Sequence, residues 1–310
     1  MSSSETRPVH SADQDRRLGW AMLSPAVLYI VGFIGVPFVL AILLSFSNAT
    51  VGNPRISKLV GLENYISLMH QPNFLIALEN SILITFLTLI LLMVLATILS
   101  ELLALEFRFK KIVQTLLILP WAMPVSLAAI AWLWLLDSQF SPVDWMLAQI
   151  GILGPGGVLG PARHLYYLGR DVLAIASVVT VNIWRLLPLA TVIVLAGRLS
   201  IPQDRFDQAK IDGAGFFRIL FHITVPALMP VLTVAILFTA LVVFGDMTTV
   251  ALLTRGGPGN ASQILPYWAF LKGIQGGDLA GGAAVALFML PVLLVVAILA
   301  LRIAYRSQEA

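Results

Sequence analysis

The chain has 310 residues, of which 59% are hydrophobic and 11% are charged, and its formal net charge is +3. This composition excludes an ordinary soluble domain, because such domains carry about 25% charged residues, and it indicates a chain that lies in a bilayer. The sequence contains no cysteine, which excludes disulfides, thiolate catalysis and thiolate metal sites.

The predicted fold class is an all-α membrane protein with six transmembrane helices. Residues 1–17 are polar and lack periodicity, so we expect a disordered cytoplasmic tail. Residues 18–310 contain six apolar blocks, each long enough to cross about 30 Å of hydrocarbon. The first block is too long for the apolar region of a secretory signal. The predicted spans are 18–46, 81–105, 112–136, 172–197, 227–253 and 279–301.

Basic residues predict the orientation of these spans. They cluster before the first span, between the second and third, between the fourth and fifth, and after the sixth. The other loops are longer but carry only two basic residues each. The positive-inside rule therefore places both termini in the cytoplasm. The clustered residues are Arg7, Arg16, Arg17, Arg108, Lys110, Lys111, Arg198, Arg205, Lys210, Arg218, Arg302 and Arg306.

The third span contains two prolines, Pro120 and Pro124, and two tryptophans near its outer end, Trp132 and Trp134. Proline removes a backbone donor, so we expect a kink or a locally unwound helix here. Irregular backbone at membrane depth is tolerated only where protein or a watery cavity covers it. A translocation path is one such place, and helix packing is the other interpretation.

The fourth and fifth spans each contain one charged residue. Arg185 lies near the middle of its span, where an unpaired charge costs several kcal/mol, and Asp246 lies toward the outer part of the fifth span. Thr239 and Val243 precede Asp246 by about two turns and one turn. The pattern is consistent with a polar cavity near the middle of the membrane. A structural ion pair, or an arginine bonded to backbone carbonyls, is the alternative.

A polar, interrupted helical stretch lies between the fourth and fifth spans, and we refer to residues 207–226 as the docking segment. Helical spacing predicts a short helix with one face toward a partner and one toward water. Gly213 ends this helix, and Pro226 and Pro230 mark the return to the membrane. The alternative is an amphipathic loop on the bilayer surface. The inward face is predicted to contain Phe206, Ala209, Ile211 and Ala214, and the solvated face Asp207, Lys210 and Asp212.

The fifth span is followed by the box Leu253-Thr-Arg-Gly-Gly-Pro-Gly-Asn260, whose turn residues require a flexible backbone. A soluble partner could dock on this box. An ordinary surface turn is the interpretation that composition alone favours.

The docking segment resembles the EAA loop of binding-protein-dependent ABC importer permeases. Asp207 stands in place of the glutamate of that motif, Gln208 and Ala209 in place of its alanines, and Gly213 in place of its glycine. Ile223 and Val225-Pro226 match the end of the motif. The resemblance implies that the segment enters a cleft on a separate ATPase subunit. The implied ATPase-coupling residues are Asp207, Gln208, Ala209, Asp212, Gly213, Ala214, Ile223 and Pro226.

Further motifs in the same order resemble the carbohydrate branch of these permeases. They include Gly-Leu-x-Asn-Tyr at residues 61–65, Leu-Pro-Trp-Ala-x-Pro at 119–124 and the Gly-Gly-Pro box, which is similar to the maltose and glycerol-phosphate type subunit usually encoded first of two permeases. The resemblance implies a sugar or sugar-like solute and the cytoplasmic membrane of a prokaryote. It also implies three partners: a second homologous permease, two copies of an ABC ATPase and an extracytoplasmic solute-binding protein. The implied substrate-path residues are Trp184, Arg185, Leu189, Thr239, Val243 and Asp246.

The sequence gives no indication of an enzyme. It lacks the phosphate-binding motif GxxxxGK[ST], the HExxH pair and the GxSxG elbow. Its four histidines lie far apart in the sequence. We therefore predict no catalytic residue, no metal site and no cofactor, and we expect ATP hydrolysis on another subunit. The alternative function is a self-contained secondary carrier or channel in which Arg185 and Asp246 form the coupling or gating pair.

Overall fold

The computed structural model describes residues 12–309 and the side chains of residues 16–302. The described part of the chain is helical and contains no β-strand, only two isolated bridges near residues 47–59. The helices are α1 (Ala12–Ile30), α2 (Val36–Ser45), α3 (Glu63–Met69), α4 (Pro72–Ala104), α5 (Lys110–Ala122), α6 (Val125–Leu135), α7 (Pro142–Gln149), α8 (Asp171–Ser200), α9 (Gln203–Ile211), α10 (Phe216–Ile219), α11 (Val225–Gly245), α12 (Met247–Leu253), α13 (Leu265–Phe270) and α14 (Leu279–Glu309).

Five helices among the described residues are long and apolar enough to cross a membrane, or six if the bent pair α5–α6 counts as one span. They agree with the predicted spans in number and order, but several extend further. The second helix begins at Pro72 rather than at residue 81, because the polar residues Asn73, Glu79 and Asn80 continue the helix beyond its apolar part. Residues 1–11 of the predicted tail lie outside the described residues, and α1 begins at Ala12.

The third span is broken rather than gently kinked. Helices α5 and α6 meet at an angle of 99°. Met123 and Pro124, at the junction, have extended backbone with ψ of 138° and 135°. A residue that precedes proline is disfavoured in the helical region, which accounts for the break at Met123. The kink expected from the two prolines is therefore present, and its position is set by Pro124.

Two widened helical turns lie next to prolines. The π-helical turns Val31–Gly35 and Leu220–Thr224 each end two residues before a proline, Pro37 and Pro226 respectively. Proline has no backbone N–H and so cannot donate the helical hydrogen bond to the carbonyl four residues earlier. In a π turn the backbone N–H groups instead bond to carbonyls five residues earlier. The helix consequently runs from Phe216 through Pro226 and Pro230 to Gly245, whereas the fifth span was predicted to begin at residue 227.

The centre of the bundle is formed by α4, α8 and α11. Helices α4 and α8 pack along much of their length, and α11 lies against both. Their shared apolar core includes Leu92, Ala190 and Leu228. On one side, α14 packs against α2, α11 and α13, whereas α6 packs against α12 on another. The first span is peripheral, since its most apolar window contains no buried residue.

Contacts between distant parts of the sequence define two ends of the bundle. At one end, Asn80 Nδ2 donates to Asn260 O (3.1 Å) and Val51 N donates to Gly277 O (2.8 Å). At the other end, Arg198 Nε lies 2.7 Å from Glu101 Oε1, close to α9. The loops 46–71 and 254–278 therefore share one end, and the docking segment lies at the opposite end.

We predict that Gly282→Ala destabilises the bundle. A Cβ at this position of α14 would overlap Gly273 Cα and lie 2.9 Å from Ala269 O. Both obstructions are backbone atoms, which cannot move aside like a flexible side chain, and overpacking of this kind costs about 1–3 kcal/mol. The melting temperature of the purified protein in detergent should fall. The matched control is Gly32→Ala, whose Cβ meets no atom within 4 Å, and equal melting temperatures for the two variants would contradict this account.

Candidate functional site

Helix α9 forms the first part of the docking segment and packs through two residues. Phe206 and Ala209 are buried, whereas Asp207, Lys210 and Asp212 are exposed, as helical spacing predicted. Gln208 is exposed as well. The prediction for Ile211 is wrong, because this side chain is 85% exposed. Ile211 is the last residue of α9, and it lies two residues after Ala209, about 200° around the helix. It consequently leaves an apolar side chain on the open surface beside Asp212.

The docking helix ends in a pair of capping hydrogen bonds. Ala214 N donates to Ala209 O (2.9 Å) and Gly213 N donates to Lys210 O (3.0 Å), the paired bonds of a Schellman motif. This motif requires a left-handed residue, and Gly213 supplies it with φ of +75°. A Cβ at Gly213 would meet no atom within 4 Å. The need for glycine therefore comes from the backbone conformation and not from crowding.

A groove of about 580 Å³ lies between α9 and the start of α11. It brings together five of the eight predicted coupling residues: Gln208, Ala209, Asp212, Ile223 and Pro226. Arg205 and His222 complete its polar wall. Asp207, Gly213 and Ala214 lie outside the groove lining. The structure thus places the beginning and the end of the docking segment on one open surface, although they are separated by more than ten positions in the sequence.

Three residues that the sequence analysis did not group together fasten α9 to the bundle. Arg198 Nε on α8 donates to Glu101 Oε1 on α4 (2.7 Å), and Arg198 Cζ lies 3.8 Å from the centre of the Phe206 ring. We call Glu101, Arg198 and Phe206 the Arg198 cluster. In the sequence, Glu101 and Arg198 are single opposite charges at the ends of two apolar runs. This pattern alone does not show that the two residues bind each other.

Arg185 and Asp246 form an ion pair inside the bundle. Arg185 Nη2 lies 2.7 Å from Asp246 Oδ2, and each side chain is only 8% exposed. Arg185 Nη2 also donates to Asn182 Oδ1 (3.2 Å), one turn earlier on α8. The two isolated charges therefore neutralise each other in this structure. Asn182 is a third member that the sequence analysis missed.

Asp246 also begins a new helix. The chain leaves α11 at Gly245, and the Asp246 carboxylate accepts hydrogen bonds from Thr248 N (3.0 Å), Thr249 N (3.3 Å) and the Thr249 hydroxyl. These bonds satisfy backbone donors at the start of α12, as an N-cap residue does. The predicted fifth span, 227–253, thus consists of two helices joined at a capped break. One carboxylate both caps α12 and neutralises Arg185 on α8.

The remaining substrate-path candidates do not enclose a space for a sugar in this chain. Val243 and Asp246 line a cavity of about 10 Å³, which is enough for about one water molecule. Thr239 is buried and its hydroxyl donates to Ala235 O (2.6 Å). Trp184 is partly buried and makes an edge-to-face contact with Trp132, with ring centroids 5.8 Å apart. Leu189 is partly buried on α8, about one turn beyond Arg185.

The Gly-Gly-Pro box is a packed turn rather than an exposed flexible one. Within residues 254–263 only Arg255 and Gly259 are exposed. Gly256 has φ of +76°, and its missing Cβ leaves room for the amide oxygen of buried Gln263. Ser262 Oγ donates to Gly257 O (2.6 Å). The predicted turn is present, and tertiary packing covers it in part: Gly256 is buried, whereas Thr254, Gly257, Pro258 and Asn260 are half-buried.

A cavity of about 940 Å³ lies in the loop 137–170. Its lining includes Trp145, Arg163 and the pair His164–Asp144, with Nδ1 and Oδ2 3.3 Å apart. Burial raises the pKa of neighbouring Tyr167, and the negative charge of Asp144 raises this pKa further. The loop is thus an ordered part of the end opposite the docking segment.

A family model described as the binding-protein-dependent transport system inner membrane component matches residues 94–305. The chain belongs to this family. The matched region contains the docking segment, the Arg185–Asp246 pair and the Gly-Gly-Pro box. The resemblance found in the sequence motifs is confirmed, and the chain is a membrane permease.

Curated relatives match this permease over most of its length. The sulfoquinovosyl glycerol transport system permease protein SmoG of Agrobacterium fabrum is 27% identical over 289 residues, covering 93% of this chain and 91% of that protein. The diacetylchitobiose uptake system permease protein DasB of Streptomyces coelicolor is 27% identical, covering 94% and 87%. The trehalose/maltose transport system permease protein MalF of Thermococcus litoralis is 26% identical, covering 88% and 89%.

A solved structure shares the fold of the permease. The crystal structure of a bacterial ABC transporter involved in the import of the acidic polysaccharide alginate contains a chain that aligns with a TM-score of 0.78. The alignment covers 95% of this chain and 97% of that one, at 21% sequence identity. The likeness shows that the two chains share a fold.

We predict that Asp246→Ala destabilises the permease by about 3–5 kcal/mol, because it leaves Arg185 buried without a counter-charge. Asp246→Asn should cost less, because its amide oxygen can still cap α12. The double variant Arg185→Met/Asp246→Asn should recover much of the loss, because no buried charge remains. The measurement is the melting temperature of each purified variant in detergent.

The matched control for this series is Glu106→Gln, which breaks the surface pair between Lys110 and Glu106 (2.9 Å), where the Glu106 side chain is 89% exposed. Such surface pairs contribute about 0–1 kcal/mol. If Asp246→Ala melts at the same temperature as Glu106→Gln, the Arg185–Asp246 pair does not hold the bundle together.

Proposed function

We propose that the chain is the transmembrane subunit of an ATP-driven importer that takes up a sugar or a sugar-like solute. The observation that carries this proposal is the docking segment, a capped helix beside an open groove at one end of a helical bundle. Family membership supports the transport role, and the names of the relatives support the solute class. Those names refer to sulfoquinovosyl glycerol, diacetylchitobiose and trehalose or maltose.

The coupling role of the docking segment rests on its exposed surface. Asp207, Gln208 and Asp212 project from α9 without being covered by the rest of the chain. The groove between α9 and α11 is large enough to receive side chains of another protein. Because the sequence contains no phosphate-binding GxxxxGK[ST] motif, the energy of ATP must come from a separate subunit. We therefore assign this surface to an ABC ATPase, of which the complex holds two copies.

The orientation follows from the charges at the two ends of the bundle. The end with the docking segment carries Arg108, Lys110, Lys111 and Arg205 within a short distance of the spans. At the opposite end the loops are longer but carry only two basic residues each. The positive-inside rule then places the docking segment and both termini in the cytoplasm of a prokaryote.

The solute path lies between this chain and a second homologous permease. Within the chain the ion pair Arg185–Asp246 and the cavity of about 10 Å³ leave no room for a sugar ring. Trp184 presents an aromatic face suited to the apolar face of a sugar, and Leu189, Thr239 and Val243 belong to the same two helices, α8 and α11. We keep all six residues as candidates for lining a path that opens when the two permease chains separate.

The end opposite the docking segment receives the solute from an extracytoplasmic binding protein. Another structure that shares the fold is that of a bacterial alginate ABC transporter in complex with a periplasmic protein bound to alginate pentasaccharide. The loops 137–170 and 254–278 form ordered surfaces at the corresponding end of this chain. A partner that docks there meets packed turns, which need little further ordering.

The first test is the retention of an ATPase. We expect the gently solubilised permease to copurify with an ABC ATPase, and uptake of the solute captured by the cognate binding protein to stop when cellular ATP is depleted. A control culture keeps its ATP while its ion gradient is dissipated, and uptake should continue. The proposal is rejected if the purified permease retains no ATPase and if uptake depends on the ion gradient rather than on ATP. These two results together would establish a secondary carrier.

The second test uses two glycines of the docking segment. Gly213→Val places a β-branched side chain at φ of +75°, where a left-handed conformation costs an L-residue about 1–2 kcal/mol. We expect this variant to insert normally into the membrane. The complete transporter that contains it should still hydrolyse ATP through its ATPase subunits, but it should transport less solute per ATP.

Gly215→Val is the matched control, because Gly215 has φ of −74° and a Cβ there meets no atom within 4 Å. Both variants should be measured for ATP hydrolysis and uptake in the same vesicles. Normal uptake per ATP in Gly213→Val would remove the coupling role of this turn.

A further inference from the structure

The Arg198 cluster joins three helices at the docking end of the permease. Arg198 lies on α8, Glu101 on α4 and Phe206 on α9, so the guanidinium lies between a carboxylate on one helix and an aromatic ring on another. The Glu101 and Arg198 side chains are 13% and 14% exposed, and Phe206 is 2% exposed. The pair is therefore shielded from water and salt, unlike a surface ion pair.

The connections on the two sides of α9 differ in stiffness. Toward α8, only Ile201 and Pro202 separate α9 from the preceding helix. Ile201 and Phe206 lie in one apolar core with residues of α4, α8 and α11, so the difference lies in the connecting segments and not in this core. Toward α11, the chain passes through the left-handed Gly213, then Gly215 and the π turn Leu220–Thr224. The connection to α8 is short and packed, whereas the connection to α11 contains the residues that most readily change backbone conformation.

We infer that α4, α8 and α9 move as one rigid body, and that Arg198 is the positioning residue that fastens the docking helix to this body. Displacement of α9 relative to α11 is absorbed at the left-handed Gly213 and by the π turn. This inference rests on the proposed function, because the displacement is produced by the ATPase. Because Arg185 also lies on α8, a displacement of α9 that is transmitted through Arg198 would reach Arg185 along this helix.

The chemistry of the cluster requires an arginine and an aromatic ring. A guanidinium is planar, so it donates to the Glu101 carboxylate along its edge while its face rests on the Phe206 ring. A lysine ammonium is a compact, strongly hydrated charge that cannot stack in this way. Phe206→Tyr keeps the ring face, whereas Phe206→Leu keeps an apolar side chain and loses the ring. These two substitutions separate the cation–π contact from simple filling of space.

The experiment measures a distance within the complete transporter, with the second permease and the ATPases bound. The chain has no cysteine, so two introduced cysteines are unique labelling sites when the partner chains are also made cysteine-free. The spin labels are attached at Asp204→Cys on α9 and at Val172→Cys at the far end of α8. Both positions are exposed. The rise of a 30-residue helix puts the labels roughly 45 Å apart, within the range of pulsed electron paramagnetic resonance.

Distance distributions are recorded without nucleotide and with ATP in the presence of a magnesium chelator, so no solute is needed. In the otherwise unaltered protein and in Phe206→Tyr, we expect one narrow distribution that ATP does not change. In Phe206→Leu and Glu101→Gln, ATP should increase the population with an altered distance by roughly 2- to 30-fold. Glu106→Gln removes a nearby exposed carboxylate outside the cluster and should behave as the unaltered protein.

Retention of the ATPase and the melting temperature are measured on the same samples. A variant that merely unfolds loses the ATPase, whereas a variant that only releases α9 keeps it. Narrow, ATP-independent distances in Phe206→Leu and Glu101→Gln, with the ATPase still bound, would overturn the inference and leave the proposed function standing. An unaltered permease that binds no ATPase would reject the proposed function and, with it, this inference.

Discussion

Hydrocarbon offers no hydrogen-bond partner to a polypeptide, and this constraint governs where the helices of the permease can stop. The break after Gly245 lies deep in the predicted fifth span, yet the Asp246 carboxylate accepts from two backbone amides of the next helix. The same carboxylate neutralises Arg185. An uncapped break would leave buried donors unpaired at a cost of several kcal/mol, so the helix interruption and the ion pair depend on one side chain.

Helix α8 links the two polar sites of the molecule. Arg185 lies within the bundle and Arg198 lies near the end that carries the docking helix, 13 positions further along the chain and thus about 20 Å away. Each arginine binds a carboxylate on a different helix, Asp246 after α11 and Glu101 on α4. A continuous helix that is anchored at both points is suited to conveying displacement between them.

The sequence was sufficient for the all-helical class of fold and for the number and order of the apolar spans. Those features depend on apolar block length and on local glycine and proline chemistry, which are readable without tertiary information. Arg185 and Asp246 were found as a candidate pair because isolated charges in apolar spans need partners.

Other features depend on packing that no local pattern encodes. Ile211 is exposed because α9 ends there, and the box at residues 254–260 is covered in part because Gln263 folds back onto Gly256. The bend at Pro124 could be placed only roughly, since proline position does not determine its angle. Glu101 and Arg198 meet across 97 positions, and sequence alone does not pair one carboxylate with one guanidinium at that separation.

The position of Arg185 also affects how the permease is made. The ribosome releases α8 before it has synthesised Asp246, which comes 61 residues later. During that interval the helix carries a lone guanidinium, and an arginine at the centre of a membrane helix opposes insertion by about 2.5–3.5 kcal/mol. The counter-ion can therefore lower this cost only after Asp246 has been translated.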